Sequence, residues 1–256
     1  MITLGCDIGS LFSKVAVMDG DDIVASGTAA TTGNIESEIK DLIDGVLKDA
    51  GIDRGNIECT VATGNGADLV KDAGFVEDEV TCVAAAAYFY IDKVDMAIHI
   101  GGQSITAMSM DEDGEVTNLM HNDKCASGSG RFLEAMSRKL NIEITDIDPL
   151  AAQSDKDVLI SNQCAVFAES EVITHVNNGE KLPDIFAGIC ASVANMVVAQ
   201  GRRFSSAEDY TLTGGVTRIG SVVDVINSKL SGNYHAFPHD PGLAAAIGAA
   251  LLGATE

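Results

Sequence analysis

One pattern occurs twice in the 256-residue chain and constrains its fold more than any other: strand, glycine turn, strand, acidic turn, strand. In the first copy an apolar run over residues 2–8 carries Asp7 near its end, Gly9 and Ser10 follow, and Lys14 to Met18 resume as a strand. The turn Asp19-Gly20-Asp21-Asp22 then leads into a third strand over Ile23 to Gly27. In the second copy Met96 to Ile100 is a strand, Gly101-Gly102-Gln103 a turn, and Ile105 to Met110 and Val116 to Met120 are strands separated by Asp111-Glu112-Asp113-Gly114. The duplication is one of structural order, not of residues. It predicts an α/β chain of two lobes, 1–94 and 95–256, each a mixed sheet with flanking helices and a ligand cleft between them.

The helices follow from apolar spacing. Ile39, Leu42, Ile43, Val46 and Leu47 recur at helical intervals within 36–50, and Gly51 ends the run. A strand over 57–62 leads into Thr63-Gly64-Asn65-Gly66, and an Ala-rich helix covers 81–90. In the second lobe helices are expected over about 129–140, 165–178, 183–203 and 219–230, with a strand near 210–213 and a final Ala-rich helix after Pro241.

Charge excludes some partners. With 16 basic against 38 acidic residues, a formal net charge of −22 repels phosphate backbones and anionic bilayers, so neither nucleic acid nor membrane is an expected partner. The acid Asp7 interrupts the N-terminal apolar run, no basic stretch precedes it, and no later segment reads as a membrane span, which together predict a cytoplasmic protein. In that setting six cysteines do not read as a disulfide framework.

Both meanders aim a glycine turn at the cleft: Asp7-Ile8-Gly9-Ser10 and His99-Ile100-Gly101-Gly102-Gln103-Ser104. Glycine lets backbone amides approach a phosphate closely, and an acid at a strand end can orient a Mg²⁺-bound water. A third element, Leu212-Thr213-Gly214-Gly215-Val216, has the strand-then-Gly-Gly form suited to the flat contact of an adenosine. Each is ordinary turn chemistry alone; their order is what points to a nucleotide. That order resembles the superfamily of actin, the heat-shock chaperone ATPases and the sugar kinases, with its ribonuclease H-like lobes. The resemblance implies that Asp7, Gly9, Ser10, Ser13 and Lys14 lie near the phosphates and Mg²⁺ of ATP or ADP. It likewise puts Gly101, Gly102 and Gln103 on the opposite side and Gly214 and Gly215 against adenosine, with the Ala246-Ile247-Gly248-Ala249-Ala250 helix crossing between lobes.

Two cysteines stand apart. Cys125, in Asn122-Asp123-Lys124-Cys125-Ala126-Ser127-Gly128-Ser129-Gly130-Arg131-Phe132, and Cys164, in Cys164-Ala165-Val166-Phe167-Ala168-Glu169-Ser170-Glu171-Val172, both precede helices. A helix N-terminus stabilises thiolate and the negative charge of a cluster. Spacing alone does not distinguish a metal-binding pair from two core cysteines. The strings closely resemble the activators of 2-hydroxyacyl-CoA dehydratases and the ATP-hydrolysing subunits of benzoyl-CoA reductases. That resemblance implies one 4Fe–4S cluster held by Cys125 and Cys164 from each copy of a homodimer, or from a heterodimer of related subunits. It further implies low-potential single-electron transfer from a ferredoxin or flavodoxin to an iron–sulfur acyl-CoA dehydratase or reductase. Cys6, Cys59, Cys82 and Cys190 lie in apolar strands or helix faces, where a cysteine behaves as a small hydrophobe.

The match is broken in both phosphate motifs. The second phosphate motif of such proteins reads Asp-Ile-Gly-Gly-Gln-Asp, and here His99 and Ser104 replace both acids, while Leu11 stands where a small hydroxyl residue is common. A neutral histidine cannot supply an acid's charge near Mg²⁺, so nucleotide binding is expected, hydrolysis is left open and no general base is identified.

Overall fold

The structure, a computed structural model, describes residues 1–122, 129–162, 164–204 and 207–255. Two five-stranded sheets carry the chain. The first has the order β3-β2-β1-β4-β5, from β1 (Ile2–Ile8), β2 (Phe12–Asp19), β3 (Asp22–Ala30), β4 (Cys59–Thr63) and β5 (Phe75–Val76). The second has the order β10-β9-β6-β7-β8, from β6 (Met96–Ile100), β7 (Ile105–Met110), β8 (Val116–Asn122), β9 (Asp209–Thr213) and β10 (Asn233–Tyr234). The two orders are the same topology: an antiparallel meander whose first strand also pairs in parallel with a later strand, β1 with β4 and β6 with β9. Asp7 and His99 occupy equivalent places, as do Gly64 and Gly214, which close β4 and β9 at φ +83° and +93°.

Each sheet is covered because its central strands are apolar on both faces. The helix α1 (Ile35–Ala50) buries Ile39, Ile43, Val46 and Leu47 against Leu4, Cys6 and Ile8 of β1. It stops at Gly51, in the left-handed conformation that frees the chain to turn back. In the second lobe α3 (Gly130–Lys139), α6 (Leu182–Gly201) and α7 (Gly220–Lys229) pack Phe132, Leu133, Phe186, Ile189, Val193, Val222 and Ile226 beneath β6 and β9. By length and composition α6 could cross a bilayer, with a mean hydropathy of 1.7, but most of its residues are filled in against this core.

The last helix of each half lies on the sheet of the other. The helix α2 (Glu79–Tyr90) contacts β6, β7 and β8, whereas α8 (Ala244–Gly253) packs on β1, β2 and β4 and against α2. The boundary expected at residues 94/95 falls between α2 and β6, but α8, expected within the second lobe, belongs by packing to the first sheet. The reason is steric. A Cβ on Gly5 of β1 would lie 1.9 Å from the Ala246 carbonyl oxygen, and one on Gly248 would lie 1.7 Å from that of Cys82, so bare backbone is required at both contacts. The short α4 (Ile147–Ala151) and α5 (Ala165–Asn177) complete the second lobe.

Candidate functional site

A cavity of about 540 Å³ opens between the sheets, where the three glycine elements converge. Gly9, Ser10, Leu11 and Lys14 line one wall, Gly101 to Ser104 the opposite one, and Gly215, Val216, Arg218 and Ile219 a third. The two turns are built alike: the Gly9 amide donates to the Phe12 carbonyl at 3.2 Å and the Gly101 amide to the Ser104 carbonyl at 2.9 Å. They meet directly, since a Cβ on Gly102 would lie 2.9 Å from Leu11 Cγ and 3.1 Å from Ser10 Oγ.

Asp7 sits behind the first turn, fully buried. Lys14 Nζ donates to its Oδ2 at 2.7 Å, while Oδ1 has no hydrogen-bond partner among the described residues. Burial pushes the Asp7 carboxyl up and the Lys14 ammonium acts against it. An orphaned carboxylate oxygen at a phosphate-sized turn fits a hydrated divalent cation. Ser13, expected near the phosphates, does not line the cavity. Successive side chains of a strand point to opposite faces, so with Lys14 turned inward Ser13 bonds Thr31 at 3.1 Å, and Thr31 donates to the Gly9 carbonyl at 2.9 Å. Gly214 is likewise a support: a Cβ there would meet the Ile100 carbonyl oxygen at 2.3 Å, and Gly215 alone of the pair faces the cavity.

His99 is buried, with Nδ1 3.0 Å from Thr213 Oγ1 and Nε2 3.8 Å from Glu79 Oε1. Burial, reinforced by Lys14, pushes its pKa down to about 4, so the ring is neutral at physiological pH and the Glu79 contact is not an ion pair. Glu79 is the acid that the sequence reading missed. It opens α2, whose first turn is capped by Asp78 accepting from the Val80 amide at 2.7 Å, and it lines the same cavity as Lys14. Burial pushes its carboxyl upward. Asp78-Glu79 ahead of an alanine run is a helix-start signature that places this acid two residues before the expected helix.

The remaining wall is apolar with a flat cationic edge. Leu133, Ile144, Val216 and Ile219 line it, and Arg218 is held by two bonds to Asp240, Nε to Oδ1 at 2.9 Å and Nη2 to Oδ2 at 2.6 Å. A guanidinium fixed in this way offers a planar face to a base. Asp148 secures the same wall, accepting from the Ser221 amide and hydroxyl at 2.7 Å each at the start of α7.

The α3 helix starts on the second turn: the Gly130 amide donates to the Gly101 carbonyl at 3.0 Å and the Arg131 amide to the Gly102 carbonyl at 2.7 Å. Cys125 lies outside the described residues. Cys164 is partly exposed at the N-cap of α5, next to Val166 and Phe167, which are 68% and 67% exposed. Cys6, Cys82 and Cys190 are buried, and desolvation pushes each thiol up to about 12, leaving them as neutral core residues. No group of three or more His, Cys, Asp or Glu side chains placed to hold a metal ion occurs among the described residues.

Duplicated sheets closed by crossing helices over three glycine elements define the actin-like ATPase fold. Comparison with known proteins is more specific. The model of the BadF/BadG/BcrA/BcrD ATPase family matches residues 4–253, and the chain belongs to that family. It is 35% identical over 257 residues to the 2-hydroxyisocaproyl-CoA dehydratase activator of Clostridioides difficile, covering 100% of this chain and 96% of the relative. It is 38% identical over 218 residues to the (R)-2-hydroxyglutaryl-CoA dehydratase activating ATPase of Acidaminococcus fermentans, covering 84% and 83%. The solved structure of the activator of the 2-hydroxyisocaproyl-CoA dehydratase from Clostridium difficile, with bound ADPNP, superposes with a TM-score of 0.93 at 34% identity, over 99% of this chain and 94% of that one.

Proposed function

We propose that this chain is an ATP-dependent electron donor that activates an iron–sulfur acyl-CoA dehydratase or reductase. Two copies share one 4Fe–4S cluster on Cys125 and Cys164 of each, recharged by a ferredoxin or flavodoxin. The observation that carries the reading is the setting of Cys164. Among the described cysteines it alone combines partial exposure with a helix N-terminus, and the adjoining face of α5, Val166, Phe167, Ser170, Ile173 and Thr174, is exposed and without charge. In a chain of net charge −22 such a face fits a second copy of itself about a twofold axis, which brings the thiolates to the four that a cubane cluster takes. When bound, the cluster supplies one-electron chemistry. The chain's own part is to bind nucleotide between the two turns and to carry closure of the cavity to α3, whose first amides rest on Gly101 and Gly102.

Glu79 favours turnover over binding alone. His99 removes an acid from the second turn, and Glu79 returns one to the same cavity, where with Asp7 it would hold Mg²⁺-bound water. The second reading, a cluster-holding subunit that binds ATP without hydrolysing it, is favoured by His99 and separated by anaerobic reconstitution. About four irons per dimer with ATP-dependent phosphate release supports the first, the same iron without release supports the second, and a folded dimer without iron sinks both.

Glu79→Gln is expected to lower phosphate release by about a hundredfold while leaving ATP affinity within a fewfold. The pH profile gives the sign. The carboxylate form is the active one and its pKa is raised, so activity falls on acidification through a range above that of ordinary carboxylates, and the Gln variant lacks that limb. Arg218→Ala is expected to weaken ATP binding by roughly tenfold, measured by titration, through loss of the planar cation beneath the base.

A further inference from the structure

We infer that Glu171 is a positioning residue for the cluster, acting on the backbone strap that delivers Cys164; the inference rests on the cluster reading above. Residues 158–162 belong to no helix or strand, with Val158 and Ile160 buried and Leu159 between them 87% exposed. Two helices grip this strap by its peptide groups, each through a pair of residues one turn apart. From α5, Glu171 Oε2 accepts from the Ser161 amide at 2.6 Å and His175 Nε2 donates to the Leu159 carbonyl at 3.2 Å. From α6, Ser192 Oγ donates to the Ser161 carbonyl at 3.0 Å, and Gly188 packs so closely that a Cβ would lie 2.4 Å from the Val158 carbonyl oxygen.

Both backbone polar groups of Ser161 are therefore held by side chains, three residues before the thiol. The consequence is directional. Glu171 belongs to the same helix that Cys164 caps, so its bond ties the approach to the cap and the helix into one unit, and Ser192 fastens that unit to the core through α6. A charged acceptor on a backbone amide is a strong bond, and among the described residues the strap belongs to neither sheet. Residues that orient metal ligands without touching the metal commonly change metal retention by about 10- to 100-fold when removed. Lys139 Nζ, on α3, pairs with Glu169 Oε1 at 2.7 Å, so the helix carrying Glu171 is also braced against the one that follows Cys125.

The test uses the reconstituted dimer and reads iron release to a chelator under anaerobic conditions, the electron-spin resonance signal of the reduced cluster, and ATP affinity. Glu171→Ala is expected to speed iron release at least tenfold and to broaden the signal while ATP affinity stays within twofold. Glu171→Gln, which keeps an acceptor oxygen, is expected to stay within about threefold of the wild type, and Ser192→Ala to follow Glu171→Ala in direction. Equal release from the Ala variant and the wild type overturns the assignment while leaving the cluster reading intact. Equal damage from Gln and Ala, or damage matched by loss of ATP binding, also overturns it, because either shows a general defect of fold or charge. A wild-type dimer that takes up no iron overturns the cluster reading and this inference with it.

Discussion

Gly248→Ala is expected to destabilise the protein by about 3 kcal/mol or more, whereas Gly45→Ala, the same chemical change, is expected to stabilise it by about 0.5–1 kcal/mol. The difference lies wholly in what the added methyl meets. At Gly248 it would stand 1.7 Å from the Cys82 carbonyl oxygen, 2.5 Å from the carbonyl carbon and 3.0 Å from Cα, all of them backbone of α2, which no side-chain rotamer can move aside. Accommodation requires α2 and α8 to separate, and both are packed into the core formed by Ala16, Met18, Val83, Ala86, Ala97, Met108 and Ile247. At Gly45, on the exposed side of α1, the methyl meets nothing within 4 Å and removes backbone freedom from the unfolded chain. Against a typical stability of about 5–15 kcal/mol, the Gly248 cost is a large fraction of the whole. Urea titrations of the two variants check it, and a Gly248→Ala midpoint at or above that of the wild type would refute the close approach of the two helices.

Loss of either proposed ligand should be all-or-none. Cys164→Ala and Cys125→Ala are each expected to abolish the visible absorption of the cluster and reduce iron to background, because a dimer that loses a thiolate from each copy retains only two of the four a cubane requires. ATP binding should persist, since Cys164 does not line the cavity. The informative control is Cys190→Ala, at a thiol buried in the core of the second lobe, where desolvation pushes it up to about 12; it should keep full iron at some cost in packing. A variant of Cys125 or Cys164 with full absorption would show that the ligands are other residues.

Much of this was legible in residue order, for identifiable reasons. The meanders announced themselves through apolar runs punctuated by glycine and acidic turns, and α1 through apolar spacing that persists over successive turns. The strands β5 and β10 went unseen, as a two-residue strand has no period to detect, and α4 is only five residues long. Lys14 and Ser13 were assigned one environment although strand alternation separates them, which only the starting point of β2 at Phe12 resolves. Glu79 was missed because an alanine run gives a helix no sharp beginning, and the expected helix over 81–90 left the capping acid Asp78 and Glu79 outside it. The resemblance marked α8 as a helix crossing between lobes, but its seat on the first sheet was not legible: its neighbours in sequence are in the second half, and its fit to Gly5 is a matter of three-dimensional contact.

The exchange of α2 and α8 between sheets has a practical meaning for anyone who would divide this gene. A cut at the 94/95 link would seem natural from the repeat, yet each product would lack the helix that seals its sheet, presenting Ala16 and Met18 on one fragment and Ala97 and Met108 on the other to water. The halves are not modules that can be borrowed singly. They are two parts of an interlock, soluble and shaped only when both are made and meet.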